Sequence, residues 1–181
     1  MEALAKYAKI CQENNIVPIV EPEVLMDGEH VIEKCFDVTK RTLEILFSEL
    51  KKENVDLGGL LLKPNMVIYS LNGEKVMSQI VGRETVKCFR EVVLAEVPGI
   101  VFLSGGQTEA EACENLNAIV RIGQDVPWKF SFSFGRALQS SALKSWVGKK
   151  ENILLAQQIF VNRCRLTSAA TEGEYSEVME N

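Results

Sequence analysis

The sequence predicts an α/β fold built on a parallel sheet of about four βα units. Two observations predict it. Four short apolar runs alternate with longer stretches of helical periodicity, which is the pattern of βα units. Each run then ends in a reactive or phosphate-binding type of residue: Glu21, Lys63, Ser104 and Arg136. In a βα barrel, functional groups sit at the C-terminal ends of successive strands. Four such units are half of a TIM-type (β/α)8 barrel. A flavodoxin-like open sheet is the alternative, which periodicity does not exclude.

Apolar residues at positions 4, 7, 8 and 11 define one face of an opening helix. Residues 16–20 read as the first strand. Ile32, Cys35, Phe36, Leu43, Leu46, Phe47 and Leu50 give a long amphipathic helix. A second strand covers 60–62, and Val86, Phe89 and Val93 mark the next helix. Residues 100–103 form the third strand. Thr108 and Glu111 make a capping box, opening a helix with Ala112, Leu116 and Ile119 on one face. Residues 129–134 alternate as the fourth strand. Two helices follow, one over 137–146 and one around Ala156, Ile159, Phe160 and Cys164. The acidic stretch after Gly173 has no pattern, so 1–173 is expected to be the barrel piece and 174–181 a frayed tail. Short apolar strands fit a sheet buried on both faces.

At 181 residues the chain is long enough for one domain with a sizeable core. With 46% hydrophobic and 25% charged residues, it has globular rather than disordered composition. A formal net charge of -5 gives no electrostatic case for nucleic acid or an anionic membrane. No apolar run approaches the roughly 20 residues that span a bilayer. The opening Met1-Glu2-Ala3-Leu4 lacks a basic n-region, so no signal peptide is expected. The five cysteines, Cys11, Cys35, Cys88, Cys113 and Cys164, are scattered and make no CxxC spacing. Neither a zinc site nor a disulfide framework is expected. The single histidine, His30, sits among turn residues and reads as a loop residue rather than a catalytic base.

The strand ends carry the chemistry. Lys63 closes an apolar run and precedes Pro64. An ammonium in an apolar setting is costly unless paired or neutral, and a neutral lysine is a nucleophile towards carbonyls. The plain alternative is a snorkelling or salt-bridged lysine. Glu21 and Glu23 lie two residues apart on an extended chain and point the same way. In a closed site their repulsion would raise one pKa and create a proton donor; in the open they are a solvated acidic turn. Ser104-Gly105-Gly106 can aim backbone N–H groups at an anion ahead of a helix N-terminus, or simply form a turn. Gly135-Arg136 adds close backbone approach and a planar fork of donors, or an ordinary surface ion pair. The two glycine-containing ends on neighbouring strands match the usual phosphate site of a barrel.

Taken together, Val17-Pro18-Ile19-Val20-Glu21-Pro22-Glu23, Leu61-Leu62-Lys63-Pro64-Asn65-Met66-Val67, Phe102-Leu103-Ser104-Gly105-Gly106, Asn115-Leu116-Asn117-Ala118 and the run from Ser131 through Arg136 to Gln139 resemble class I fructose-bisphosphate aldolase. The match runs in order from about Ala3 to about Gly173, over the C-terminal half of the family's chain. The resemblance implies the C-terminal half of a TIM-type barrel, no metal and no cofactor. It also implies a cytoplasmic lyase of glycolysis and gluconeogenesis. The reaction is reversible cleavage of fructose bisphosphate to dihydroxyacetone phosphate and glyceraldehyde phosphate through a lysine Schiff base. By its motif Lys63 inherits the Schiff base, Glu21 proton transfer and Glu23 a supporting role. Ser104, Gly105, Gly135 and Arg136 inherit the substrate phosphate. The family's first four strands, with an active-site aspartate and two lysines, have no counterpart, nor does its terminal tyrosine. The stretch 68–76 matches poorly. Impaired activity is therefore expected, together with a homo-oligomer or association with full-length aldolase. The alternative is a catalytically inactive truncated paralogue or fragment that acts as a binding or assembly partner of full-length aldolase.

Overall fold

The computed structural model describes every residue from Met1 to Asn181. Helix α1 (Glu2–Glu13) leads into β1 (Ile19–Val20), α2 (Ile32–Lys52), β2 (Leu61–Leu62) and α3 (Ser78–Val92). Then come β3 (Gly99–Phe102), α4 (Glu109–Ile122), β4 (Lys129–Phe132), α5 (Arg136–Trp146) and α6 (Ile153–Thr171). All strands are parallel, and their spatial order is β1-β2-β3-β4. That order separates the two architectures left open by the sequence. A doubly wound sheet reverses strand order at a switch point. Here every crossover steps to the next strand in the same direction, as in a barrel wall.

The pleat sends alternate side chains to opposite faces. Val20, Leu62, Ile100 and Phe102 are fully buried. Their neighbours on the other face are not: Ile19 is 41% exposed, and Leu61 and Val101 are half-buried. The sheet is thus covered on one face only, contrary to the expectation of burial on both. Crossovers of one hand put all the helices on the same side. On that side Phe89 of α3 stacks on Phe102, centroids 5.7 Å apart, and Phe130 tilts against Phe102 at the same distance. Trp128 anchors the start of β4 through a 2.9 Å hydrogen bond to the Leu94 carbonyl.

Within the helices, α2 buries Ile32, Cys35, Leu43, Leu46, Phe47 and Leu50. The Thr108–Glu111 capping box forms on α4. Helix α1 differs from its predicted face. It buries Ala5 and Ala8, while Tyr7 is exposed, because small residues let this short helix lie close to its neighbours. Helix α6 differs more. Its first half leaves Leu154 73% exposed and Val161 exposed, and it buries Arg163, Leu166, Thr167 and Ala170 instead. Residues 174–181 pack rather than fray. Tyr175 is buried; its N–H donates to Asn117 Oδ1 (3.0 Å) and its hydroxyl to Glu180 Oε1 (2.8 Å). Arg163 donates to the other Glu180 oxygen at 2.5 Å. A buried guanidinium needs a counter-charge, and the tail supplies it. No helix is long and apolar enough to cross a membrane.

Candidate active site

The register places the predicted residues. Val20, Leu62, Ile100 and Phe130 are successive partners across the sheet. One step further, Glu21 and Lys63 leave adjacent strands side by side, with the Lys63 N–H donating to the Val20 carbonyl at 2.7 Å. The Lys63 Nζ lies 2.9 Å from Glu21 Oε1. The lysine side chain is only 18% exposed and the glutamate 42%. The apolar strand hides the lysine stem, and the ion pair satisfies its head.

Behind this pair, Asn65 is buried and fixes the chain just past Lys63. Its amide donates to Thr39 Oγ1 of α2 (2.8 Å) and to the Met66 carbonyl (3.1 Å). A buried amide following a strand is the signal that could have marked it in the sequence.

The ladder continues beyond the strands, with Leu103 N–H donating to Pro64 O (3.1 Å) and Ser133 N–H to Phe102 O (2.9 Å). It delivers Ser104, Gly105 and Arg136 to the same edge. A groove of about 550 Å³ opens there, lined by Glu23, Ser104, Gly105, Gly106 and Arg136 among others. Glu23 leans over Gly105: a Cβ at 105 would come within 3.2 Å of Glu23 Oε1. Gly106 has φ +77, and a Cβ there would lie 2.9 Å from the Met26 Cβ, so only glycine fits. Gly135 is different. It stands exposed at the N-cap of α5 with φ -95, and a Cβ would meet nothing. The groove thus gathers Glu23, Ser104, Gly105 and Arg136, while Lys63, Glu21 and Gly135 lie outside its lining. His30 sits in the β1–α2 loop, Nδ1 3.4 Å from its neighbour's carbonyl at Val31, and does not line the groove. A hollow of about 590 Å³ between α3, α4 and the tail shares no lining residue with this groove.

Sequence reading missed Tyr69, Lys75 and Glu111 as neighbours. Tyr69 and Glu111 line the groove. Glu111 Oε1 takes both the Tyr69 hydroxyl (3.1 Å) and the Lys75 ammonium (2.5 Å). Its other oxygen caps Thr108 through the backbone N–H and the hydroxyl, both at 2.9 Å. Burial alone would raise the Glu111 carboxyl. The donors from Lys75 and Thr108 outweigh it and hold it down at about 2. Burial, followed by the Glu111 charge, pushes the Tyr69 phenol up. Glu111 therefore contributes stability that is complete above its unfolded pKa of roughly 4.3 and is lost as pH falls towards about 2. Glu111→Gln is expected to flatten the fall in stability below about pH 4, measured by urea unfolding across pH. An unchanged pH profile in the variant would remove this role.

Among known families, the one described as "Glycolytic: Fructose-bisphosphate aldolase class-I" matches residues 1–181. The chain belongs to the class I fructose-bisphosphate aldolase family. Among its aldolase relatives, cytosolic fructose-bisphosphate aldolase 6 of Arabidopsis thaliana is 52% identical over 172 residues, which are 95% of this chain and 48% of that protein. Cytoplasmic isozyme 1 of Pisum sativum is 52% identical over 174 residues, 96% of this chain and 49% of the relative. A solved Plasmodium falciparum aldolase, in a ternary complex with TRAP and a small-molecule inhibitor, superposes with a TM-score of 0.93 at 49% identity. That alignment covers 97% of this chain and 50% of the other. The chain spans about half the length of the curated aldolases it matches, and its four βα units are half of the aldolase TIM barrel.

Proposed function

We propose that this chain carries the Schiff-base half of a class I aldolase site. It acts on fructose bisphosphate in glycolysis and gluconeogenesis, in the cytoplasm. The observation that supports it is the Lys63–Glu21 pair, 2.9 Å apart at the same sheet edge as the Ser104–Gly106 and Arg136 groove. Glu21 takes the Lys63 proton, and the neutral amine then adds to the substrate ketone. Within the carbinolamine a proton moves from nitrogen to oxygen. Glu21 returns its proton to that hydroxyl, water leaves, and a protonated imine remains. Glu21, again a carboxylate, takes the proton of the C4 hydroxyl. The C3–C4 bond breaks, and its electron pair runs into the imine as the aldehyde departs. Protonation of the resulting enamine and hydrolysis return the lysine. Glu23 supports Glu21, and Ser104, Gly105, Gly135 and Arg136 hold a substrate phosphate. The barrel is completed by a second half, in a homo-oligomer or with full-length aldolase.

The test is borohydride reduction in the presence of dihydroxyacetone phosphate, followed by peptide mapping. The label is expected on Lys63 and is lost in Lys63→Ala. The open inner sheet face, where Ile19 is 41% exposed, favours the second reading of an inactive binding or assembly partner. No label at any lysine would establish that reading over the first.

A further inference from the structure

Helix α6 is apolar on two sides. On one it buries Leu166 and Ala170 with Arg163 and Thr167, and it lies against α4 and α5. On the other, Leu154, Leu155 and Val161 are each more than half exposed. A shallow hollow of about 390 Å³ runs along that outer side, lined by Leu154, Gln157, Gln158, Val161, Asn162 and Arg165. These six therefore share one face of the helix. A helix with a second apolar side is one that something normally covers.

The pattern of the outer face identifies the cover. Glu151, in the single turn Lys150–Asn152 that opens into α6, starts a stripe that continues through Leu154, Gln158 and Val161 to Arg165. The steps alternate between three and four residues, the spacing of a seam between two packed helices. The stripe is symmetric about Gln158, with an apolar residue on each side and a charge beyond it, and the two end charges are opposite. Arg165 is turned along the face by a 3.1 Å hydrogen bond to Asn162 Oδ1. Neither Arg165 nor Glu151 meets an opposite charge in its own chain.

We propose that the outer face of α6 is a homodimer interface, covered by the α6 of a second copy running antiparallel about a two-fold axis at Gln158. Turned end for end, the second copy sets Arg165 against Glu151 and Val161 against Leu154, and the two-fold makes each contact twice. A parallel pairing would instead stack glutamate on glutamate and arginine on arginine. The paired face is about 21 Å long and about 10 Å wide. That falls well short of the roughly 800 Å² per partner of a standard interface, so the dimer is weak and exchanges with monomer. The interface uses neither β1 nor β4. It is separate from any pairing that completes the barrel, and it rests on no step of the aldolase reading.

The test is sedimentation equilibrium of the full chain at concentrations up to about 1 mM, where weak association is still read. The variants are Glu151→Arg, Arg165→Glu and the double exchange, all at exposed positions, with the fold checked by circular dichroism. The wild type is expected to show a monomer–dimer equilibrium. Either single reversal creates two like-charge contacts and weakens dimerisation at least about tenfold. The double exchange restores it, and so does mixing the two single variants, because each copy then supplies the charge the other lacks. A chain that stays monomeric throughout overturns the proposal. So does weakening without rescue, and so does a dimer that the reversals leave unchanged, including one that only Ile19→Lys on the open sheet face dissociates.

Discussion

The isolated chain is expected to cleave fructose bisphosphate about 10²–10⁴-fold more slowly than a complete aldolase, the usual worth of one positioned proton-transfer group. Three features set the deficit. The Lys63 ammonium is held by Glu21 at 2.9 Å, whereas the nucleophile is the free amine. The pair is open to solvent, with the Glu21 side chain 42% exposed. Substrate positioning is worth many kcal/mol, and the chain spans half the length of its relatives. The measurement is a coupled cleavage assay beside the full-length Plasmodium falciparum enzyme, with sedimentation to establish the mass of the active species. Turnover within tenfold of that enzyme by a verified monomer would refute the deficit.

Phe102→Ala is expected to destabilise the fold by about 3–5 kcal/mol. Phe102 is fully buried on β3 and joins three elements: it stacks on Phe89 of α3 at 5.7 Å and tilts against Phe130 of β4 at 5.7 Å. Removing the ring loses its transfer free energy, leaves a cavity and breaks both aromatic pairs. Domain stabilities are about 5–15 kcal/mol, so this loss takes most of a modest total. Strands β3 and β4 lead into Ser104 and Arg136, so the phosphate binding proposed for them is expected to fall with it. The check is urea unfolding followed by circular dichroism. A loss under about 1 kcal/mol would mean that the helical side of the sheet relaxes around the gap.

Much of the architecture was legible in the sequence because it is local. The alternation of short apolar runs with amphipathic stretches gave four strands and their helices, and Thr108 with Glu111 marked the start of α4. The strand ends were legible too. In a parallel sheet every C-terminal end faces one edge, so Glu21 and Lys63 became neighbours once the strands were adjacent. The apolar half of α6 misled because periodicity reports a face without saying whether anything covers it. The tail misled because its anchors are long-range: Tyr175 holds Asn117, and Glu180 meets an arginine 17 residues away.

By itself, then, the sequence determined the α/β class, the order of units, the four strand ends and the family, all of which rest on local periodicity and contiguous motifs. The tertiary structure alone decided four things. They are the barrel-type strand order, the single covered face, the hub that Glu111 makes with Tyr69 and Lys75, and the side of α6 left exposed. Each depends on which distant segments meet across the fold. Side-chain pattern along the chain encodes a preference for burial or charge, but the partner that satisfies it is selected only when the whole sheet and its helices have packed.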